Sequence, residues 1–410
     1  MAPDIYSMLA THVAFILTGY FIVYSVGKYF GLLKILTAGY LTHIIAGIIL
    51  WNSPLFKVGD ARVYTWQGLD YAQNIEGGSN KLLLVSGKDG WPKLLGNLFH
   101  LFGYVQELGI YINALATILA AVFLHLACKK INIDTTTPYA VYLIIFCPAS
   151  LYWGSLPGRE PINWLCIAMM AYATAQLSVR LSVAPILWMT LATFSLFPVR
   201  GSIALALAGT YIIGLVIAGN TDRSHQVFAR FVTIAAGALV IPQAINQINN
   251  QGLHGRSLAQ IRTSLSVANS TFTNPDEVSS GIFSLTTLKS IPRIMLGPLP
   301  WEFKPSLFLA IIDAIFWWGL WYLAYTGIRD SKRFDILKLY IVPTFILIIT
   351  GASALTNYGI VLRLRGLMIP VIAPIIALGL VQRKLRQSNN KRLGFRRINN
   401  KELLEIGSTN

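Results

Sequence analysis

Four arginines stand beside short breaks between long apolar segments, where their chemistry suits the binding of an anion. Arg159 lies in SLPGREPINWL, Arg200 in LFPVRGSIAL, and Arg363 and Arg365 in TNYGIVLRLRGL. A guanidinium group presents a planar fork of N–H donors that matches the oxygens of a phosphate. A charge beside an apolar segment costs free energy unless it is paired. These arginines therefore predict a phosphate or pyrophosphate site.

The carboxylate best suited to chemistry at such a site is Asp60, in PLFKVGDARVYTWQGLDYAQNIEGG. Gly59 gives the backbone room to turn, and the residues that follow are able to form a helix. The local sequence also suits Asp60 as the N-cap of that helix, and the two roles are compatible. Glu160 is a competing catalytic carboxylate, or it orients its neighbour Arg159.

The composition defines the elements that must position these residues. Hydrophobic residues make up 54% of the 410 residues and charged residues 12%, which is typical of a polytopic membrane protein. The fold class predicted is all-α, with about 11 transmembrane helices. We place them near 8–27, 32–51, 109–127, 138–154, 161–179, 183–197, 201–218, 232–248, 306–326, 339–355 and 366–382.

Lysines and arginines in the short loops predict the orientation of this domain. They concentrate after every second predicted helix and in the basic tail 383–410. The positive-inside rule assigns these loops and the tail to the cytoplasm. The N-terminus then lies outside and the C-terminus inside. Residues 1–382 form one integral membrane domain with two large outer loops, about 52–108 and 249–305. A helical stripe at 257–268 predicts an interfacial helix in the second loop.

The formal net charge of +16 raises the alternative of a nucleic-acid partner. A basic cytoplasmic tail beside anionic lipid is the ordinary pattern of membrane proteins, however, and it accounts for this charge. We therefore predict no nucleic-acid partner. The arginine-bearing turns are different, because they fall on the outer side and break the positive-inside bias.

Several short motifs resemble one class of bacterial membrane proteins. GD..VY at the start of the first outer loop is similar to the acidic motif of GT-C type membrane glycosyltransferases and of Wzy- and EpsG-like polysaccharide polymerases. Four later motifs follow in an order similar to that of proteins from surface-polysaccharide gene clusters. They are S..GRE, the single arginine Arg200, GPLPWEF and the final R.R turn. The resemblance covers most of the chain as a topology.

The resemblance implies a transferase in the bacterial cytoplasmic (inner) membrane. Its donor would be a sugar linked to polyprenyl phosphate or pyrophosphate, and its acceptor a glycan or a lipid. Asp60 would be the base, and the four arginines would bind the donor phosphate and stabilise its departure. The chain departs from several GT-C enzymes in having no paired DD, DE or ED next to Asp60. One carboxylate is a poor cage for a divalent metal ion, so we predict no cofactor. Sugar or acceptor contacts would come from Arg62, Tyr64, Trp301 and Glu302.

Two other functions remain open from the sequence. Asp313 lies within the apolar segment LFLAIIDAIFWW, where a carboxylate is costly and often marks an ion path. A transporter or flippase of lipid-linked sugars is therefore the main alternative, although no inverted repeat is visible. A non-catalytic member of a polysaccharide assembly complex is the other. An enzyme requires Asp60 and the arginines to share one site, whereas a transporter requires a polar route past Asp313.

Overall fold

The computed structural model describes residues 5–53, 60–76, 90–133, 138–179, 182–218, 285–330, 334–353 and 358–407. No residue in these ranges lies in a strand, which confirms the all-α prediction for this part of the chain. Its α-helices are α1 (Ile5–Phe30), α2 (Leu33–Asn52), α3 (Asp60–Glu76), α4 (Gly90–Phe102), α5 (Leu108–Lys130), α6 (Tyr139–Phe146), α7 (Pro148–Ser155), α8 (Glu160–Leu177), α9 (Val183–Ala218), α10 (Leu285–Leu296), α11 (Phe308–Asp330), α12 (Phe334–Ser353) and α13 (Tyr358–Gly407).

Six of the described helices are long and apolar enough to cross a membrane, as expected for a multi-pass membrane protein. Helix α1 exposes large apolar side chains along its length, including Leu9, Leu17 and Phe21, which suits contact with lipid. The six segments are Met8–Phe30, Leu33–Asn52, Leu108–Lys130, Val183–Arg200, Ala310–Arg329 and Tyr358–Ser388.

Three of the predicted segments take a different form in the structure. The single helix predicted at 138–154 is two short helices, α6 and α7, which are separated at Cys147. Cys147 is extended, with φ −67° and ψ 148°, because the Pro148 ring disfavours a helical conformation at the residue before it. The separate segments predicted at 183–197 and 201–218 form one helix, α9, with a non-helical residue inside it. The predicted helices at 232–248 and 257–268 lie outside the described residues.

The core of the bundle is built on α5, α8 and α13. Val371, Ala373 and Ile376 of α13 are fully buried, as are Ile167 and Ala171 of α8. Helices α11 and α13 approach closely through glycine, since a Cβ atom added at Gly379 would lie 2.7 Å from the carbonyl oxygen of Leu323. Small residues permit such backbone approach between membrane helices.

Helices α3 and α4 lie in the first predicted outer loop and form a hairpin with its own small core. Tyr64 and Ala72 of α3 pack with Trp91, Leu95 and Phe99 of α4. Val105 and Leu108 extend this cluster to the start of α5. This packing holds the hairpin against the start of α5, and with it the backbone of Asp60, the first residue of α3.

The end of the second predicted outer loop returns to the bundle through α10 and two short 3₁₀ turns, Pro300–Glu302 and Pro305–Leu307. Helix α10 is attached to the indole groups of α11, because Trp318 donates to the carbonyl of Leu296 and Trp321 donates to that of Met295. The Tyr358 hydroxyl donates to Glu302, which brings the first 3₁₀ turn close to the start of α13.

Candidate functional site

Five charged residues from four helices meet in one group, which we call the charged cluster: Asp60, Arg159, Glu160, Arg200 and Arg363. Asp60 and Glu160 are the first residues of α3 and α8, and Arg159 directly precedes α8. Arg200 ends one apolar span, and Arg363 lies in the second turn of another. Two members of the cluster therefore lie at or near the ends of candidate membrane spans.

Ion pairs connect four members of the cluster in a chain. Asp60 Oδ2 lies 2.5 Å from Arg363 Nη1. Glu160 Oε1 lies between two arginines, 3.9 Å from Arg363 Nε and 3.4 Å from Arg200 Nη2. The Glu160 side chain is 2% exposed, whereas that of Asp60 is 52% exposed. Glu160 is thus enclosed between guanidinium groups, and Asp60 is the carboxylate that solvent or a substrate reaches.

Arg159 joins the cluster through different contacts. Its Nη1 donates to the carbonyl of Val199 at 3.4 Å, and its guanidinium carbon lies 5.9 Å from the centre of the Tyr64 ring. Asp60 and Tyr64 are four residues apart on α3, which places both on the face that meets the arginines. Burial raises the pKa of the Tyr64 hydroxyl, and Arg159 opposes that shift. Tyr64 is therefore a neutral hydrogen-bond donor beside the cluster.

Two arginine donors in the cluster are buried without a hydrogen-bond partner among the described residues. These are Nε of Arg159 and Nε of Arg200. A buried donor that lacks a partner costs free energy, and charged donors cost the most. Three guanidinium groups face two carboxylates, which leaves one positive charge in excess. The arrangement is suited to an anion with several oxygen acceptors, such as a phosphate.

The turn before α8 is fixed by side chains from two other helices. Asn113 of α5 donates to the carbonyls of Leu156 at 2.6 Å and Gly158 at 2.7 Å. Trp91 of α4 donates to the carbonyl of Pro157 at 3.0 Å. Because this turn leads directly into Arg159 and Glu160, these bonds hold both residues at the end of the bundle.

The break inside α9 positions Arg200. Its φ of −152° and ψ of 72° lie outside the helical region, two residues after Pro198. Proline removes a backbone hydrogen bond and bends a helix. The start of α4 packs against this break, since a Cβ atom added at Gly90 would collide with the carbonyl of Pro198. The first predicted outer loop therefore contacts the Arg200 site as well as supplying Asp60.

Arg365 does not join the charged cluster. It is fully buried and pairs with Asp313 of α11, with 3.0 Å between Nη1 and Oδ2. It also donates to the carbonyls of Ile294 at 2.9 Å and Gly297 at 2.5 Å at the end of α10. Its guanidinium group is therefore occupied by protein acceptors that join α10, α11 and α13. This contact also provides the Asp313 carboxylate with a counter-ion.

Of the four predicted sugar or acceptor contacts, Tyr64 has a described contact with a member of the charged cluster. Tyr64 lies beside the cluster, whereas Arg62 donates to the carbonyl of Trp51 at 2.7 Å and stacks on its ring. Glu302 pairs with Arg293, 2.6 Å from Nη2, and accepts a hydrogen bond from the Tyr358 hydroxyl. Trp301 is 77% exposed in the adjacent 3₁₀ turn.

Trp153 is a member of the site that the sequence analysis missed. Arg363 stacks on its indole ring, with 4.5 Å between the guanidinium carbon and the ring centre. Trp153 lies six residues before Arg159, on a helix that the prediction merged with its neighbour. The proline after Cys147 was the sequence signal for that helix boundary.

No metal-binding group emerges from the described part of the chain, in which no three His, Cys, Asp or Glu side chains are arranged to hold an ion. The cluster can instead bind an anion through its arginines and accept a proton at Asp60. No protein-family model, curated protein or solved structure matches this chain. The fold and the site together define an all-α membrane protein with an arginine-rich charged cluster at the ends of its helices.

Proposed function

We propose that this protein is a membrane glycosyltransferase or polysaccharide polymerase. Its donor is a sugar linked to polyprenyl phosphate or pyrophosphate, and its acceptor is a glycan or a lipid. We assign it to the bacterial cytoplasmic (inner) membrane, with the cluster on the outer face, the N-terminus outside and the C-terminus in the cytoplasm. The resemblance to GT-C type transferases and to Wzy- and EpsG-like polymerases supports this assignment.

The observation that carries the proposal is the convergence of Asp60 with Arg159, Arg200 and Arg363. Arg200 and Arg363 lie at or near the ends of candidate membrane spans. A donor lipid in the membrane presents its phosphate at this depth. The unpartnered Nε atoms of Arg159 and Arg200 supply donors for phosphate oxygens. Asp60 is exposed enough to reach an acceptor hydroxyl beside that phosphate.

The reaction proceeds by direct displacement with inversion at the anomeric carbon. Asp60 takes the proton of the acceptor hydroxyl, and the acceptor oxygen forms a bond to the anomeric carbon. The bond between that carbon and the phosphate oxygen breaks, and its electron pair leaves with the lipid phosphate. The arginines stabilise this negative charge as it develops. A positioned base of this kind contributes about 10²- to 10⁴-fold in rate.

Arg365 has no place in this mechanism as a phosphate ligand, because its donors are already satisfied within the bundle. We assign it the role of joining α10 to α11 and α13. The Glu302 network then holds Trp301 near the start of α13, where its exposed ring is available to stack on a sugar.

A profile of lipid-linked glycans in cells tests the proposed function. Cells that lack the protein are complemented with wild type, with Asp60→Asn, or with Asp70→Asn, at equal protein levels in the membrane. Asp70 is an exposed carboxylate on the same helix and serves as the matched control. We expect wild type and Asp70→Asn to restore extended glycans, and Asp60→Asn to leave unextended lipid-linked sugars on the outer leaflet.

Two results would count against this function. If Asp60→Asn restores normal glycans, Asp60 is only a helix cap, and the base assignment is wrong. If cells without the protein accumulate lipid-linked sugars on the inner leaflet, the defect lies in transport. That second result favours a flippase, the alternative suggested by Asp313 in the sequence.

A further inference from the structure

The base and a phosphate-binding arginine of the proposed site are paired with each other. Asp60 Oδ2 accepts a hydrogen bond from Arg363 Nη1 at 2.5 Å, and this contact occupies one carboxylate oxygen and one guanidinium N–H. A donor phosphate requires that N–H, and an acceptor hydroxyl requires that carboxylate. Both substrates therefore compete with the same internal ion pair.

The surroundings of the pair show which partner is able to leave. Arg363 is 20% exposed, stacks on Trp153, and faces the enclosed carboxylate of Glu160. Asp60 is 52% exposed at the first residue of α3. A half-exposed carboxylate regains most of its hydration when it moves away from its partner, so an ion pair of this type opens at small cost. Arg363 stays in place, and Asp60 is the mobile partner.

The remaining contacts keep the arginines aligned when Asp60 leaves. Glu160 is almost fully buried and faces both Arg200 and Arg363, so the two guanidinium groups retain a common counter-ion. When an anion enters the cluster, Arg363 loses its contact with the half-exposed carboxylate of Asp60. The anion gains contacts with three guanidinium groups in its place. Multiple charge-assisted hydrogen bonds to phosphate are stronger than the single bond that is lost.

We propose that Asp60 is an internal competitor of the donor phosphate, and that phosphate binding releases it from Arg363 to act as the base. This inference rests on the proposed function, because it assigns an order to the two substrates at the same site. The donor binds first, and only then is Asp60 free to accept a proton from the acceptor hydroxyl. The acceptor is thereby activated only when a donor is present.

Anion binding to the purified full-length protein in detergent tests this competition. The probes are inorganic pyrophosphate, which reports on the anion site alone, and farnesyl diphosphate, which adds a polyprenyl chain. Affinities are measured by calorimetry for wild type, Asp60→Asn and Asp70→Asn. Asparagine is as good a residue as aspartate at a helix N-terminus, so α3 should be preserved. Asp70→Asn changes the net charge by the same amount without touching the cluster.

We expect Asp60→Asn to bind both probes about 1.5-fold to fivefold more tightly than wild type, which is the effect of removing one partly exposed ion pair that competes with the ligand. Asp70→Asn should match wild type. Equal or weaker binding by Asp60→Asn would overturn the competition while leaving the phosphate site itself intact. Binding of neither probe by wild type or Asp60→Asn would overturn the anion site and, with it, the proposed function.

Discussion

Removing the charge of Asp313 should strongly destabilise the bundle without touching the charged cluster. Asp313 is 3% exposed and Arg365 is fully buried, with 3.0 Å between their charged atoms. Asp313→Asn leaves the Arg365 guanidinium buried without a counter-ion. Loss of one partner of a buried ion pair costs about 3–5 kcal/mol, because the other charge remains unsolvated. We expect a loss of that size in the free energy of unfolding.

Denaturant unfolding in detergent micelles, followed by helical circular dichroism, measures this free energy. A double-mutant cycle compares wild type with Asp313→Asn, Arg365→Met and the variant that carries both changes. The double variant should cost less than the sum of the single variants, by about 0.5–3 kcal/mol, because the second change removes the charge that the first left unpaired. Asp70→Asn, on the exposed surface, should stay within about 0.5 kcal/mol of wild type. Additive single effects, or a negligible effect of Asp313→Asn, would refute the assignment of Arg365 as a buried link.

Three further variants probe the supports of the charged cluster. Asn113→Ala removes the donor to two carbonyls of the 156–159 turn, and we expect a loss of about 1–3 kcal/mol in unfolding free energy together with reduced transferase activity. Gly90→Ala forces α4 away from Pro198, and we expect a loss of about 1–3 kcal/mol from the displaced backbone. Trp153→Leu removes the ring below the Arg363 guanidinium, and we expect pyrophosphate affinity to fall by about 0.5–2 kcal/mol in calorimetry.

Matched variants separate these effects from general damage. Asn52→Ala removes an exposed amide that donates to the carbonyl of Ile48 in its own helix. Gly319→Ala adds a methyl group that meets no atom within 4 Å among the described residues beyond its own helix backbone and chain neighbours. Trp66→Leu replaces an indole that is 62% exposed on α3. If any control loses as much stability or affinity as its test variant, the contact assigned to the test residue does not explain the result.

Residue types and helical patterns were readable from the sequence, but long-range pairings were not. The prediction placed Asp60 and Arg363 in one site, and their side chains are in contact although they are 303 positions apart. The specific partners came only from the fold. Glu160 was considered either as a second base or as a partner of Arg159. The contacts instead place it between Arg200 and Arg363.

The separation of Arg363 from Arg365 follows from helix geometry. The sequence prediction began the last helix at 366 and placed both arginines in the preceding turn, as ligands of one phosphate. Helix α13 begins at Tyr358, so both residues are helical. Side chains two positions apart on a helix do not share a face. One arginine therefore enters the charged cluster, and the other reaches Asp313 on the opposite side.

The central claim is that the phosphate of a lipid-linked donor binds between Arg159, Arg200 and Arg363. An experimental structure of the protein with a bound polyprenyl diphosphate tests this claim most directly. We predict phosphate oxygens at about 2.7–2.9 Å from the guanidinium nitrogens, with Asp60 turned away from Arg363. Phosphate density at any other position, with the ion pair between Asp60 and Arg363 still closed, would contradict the account.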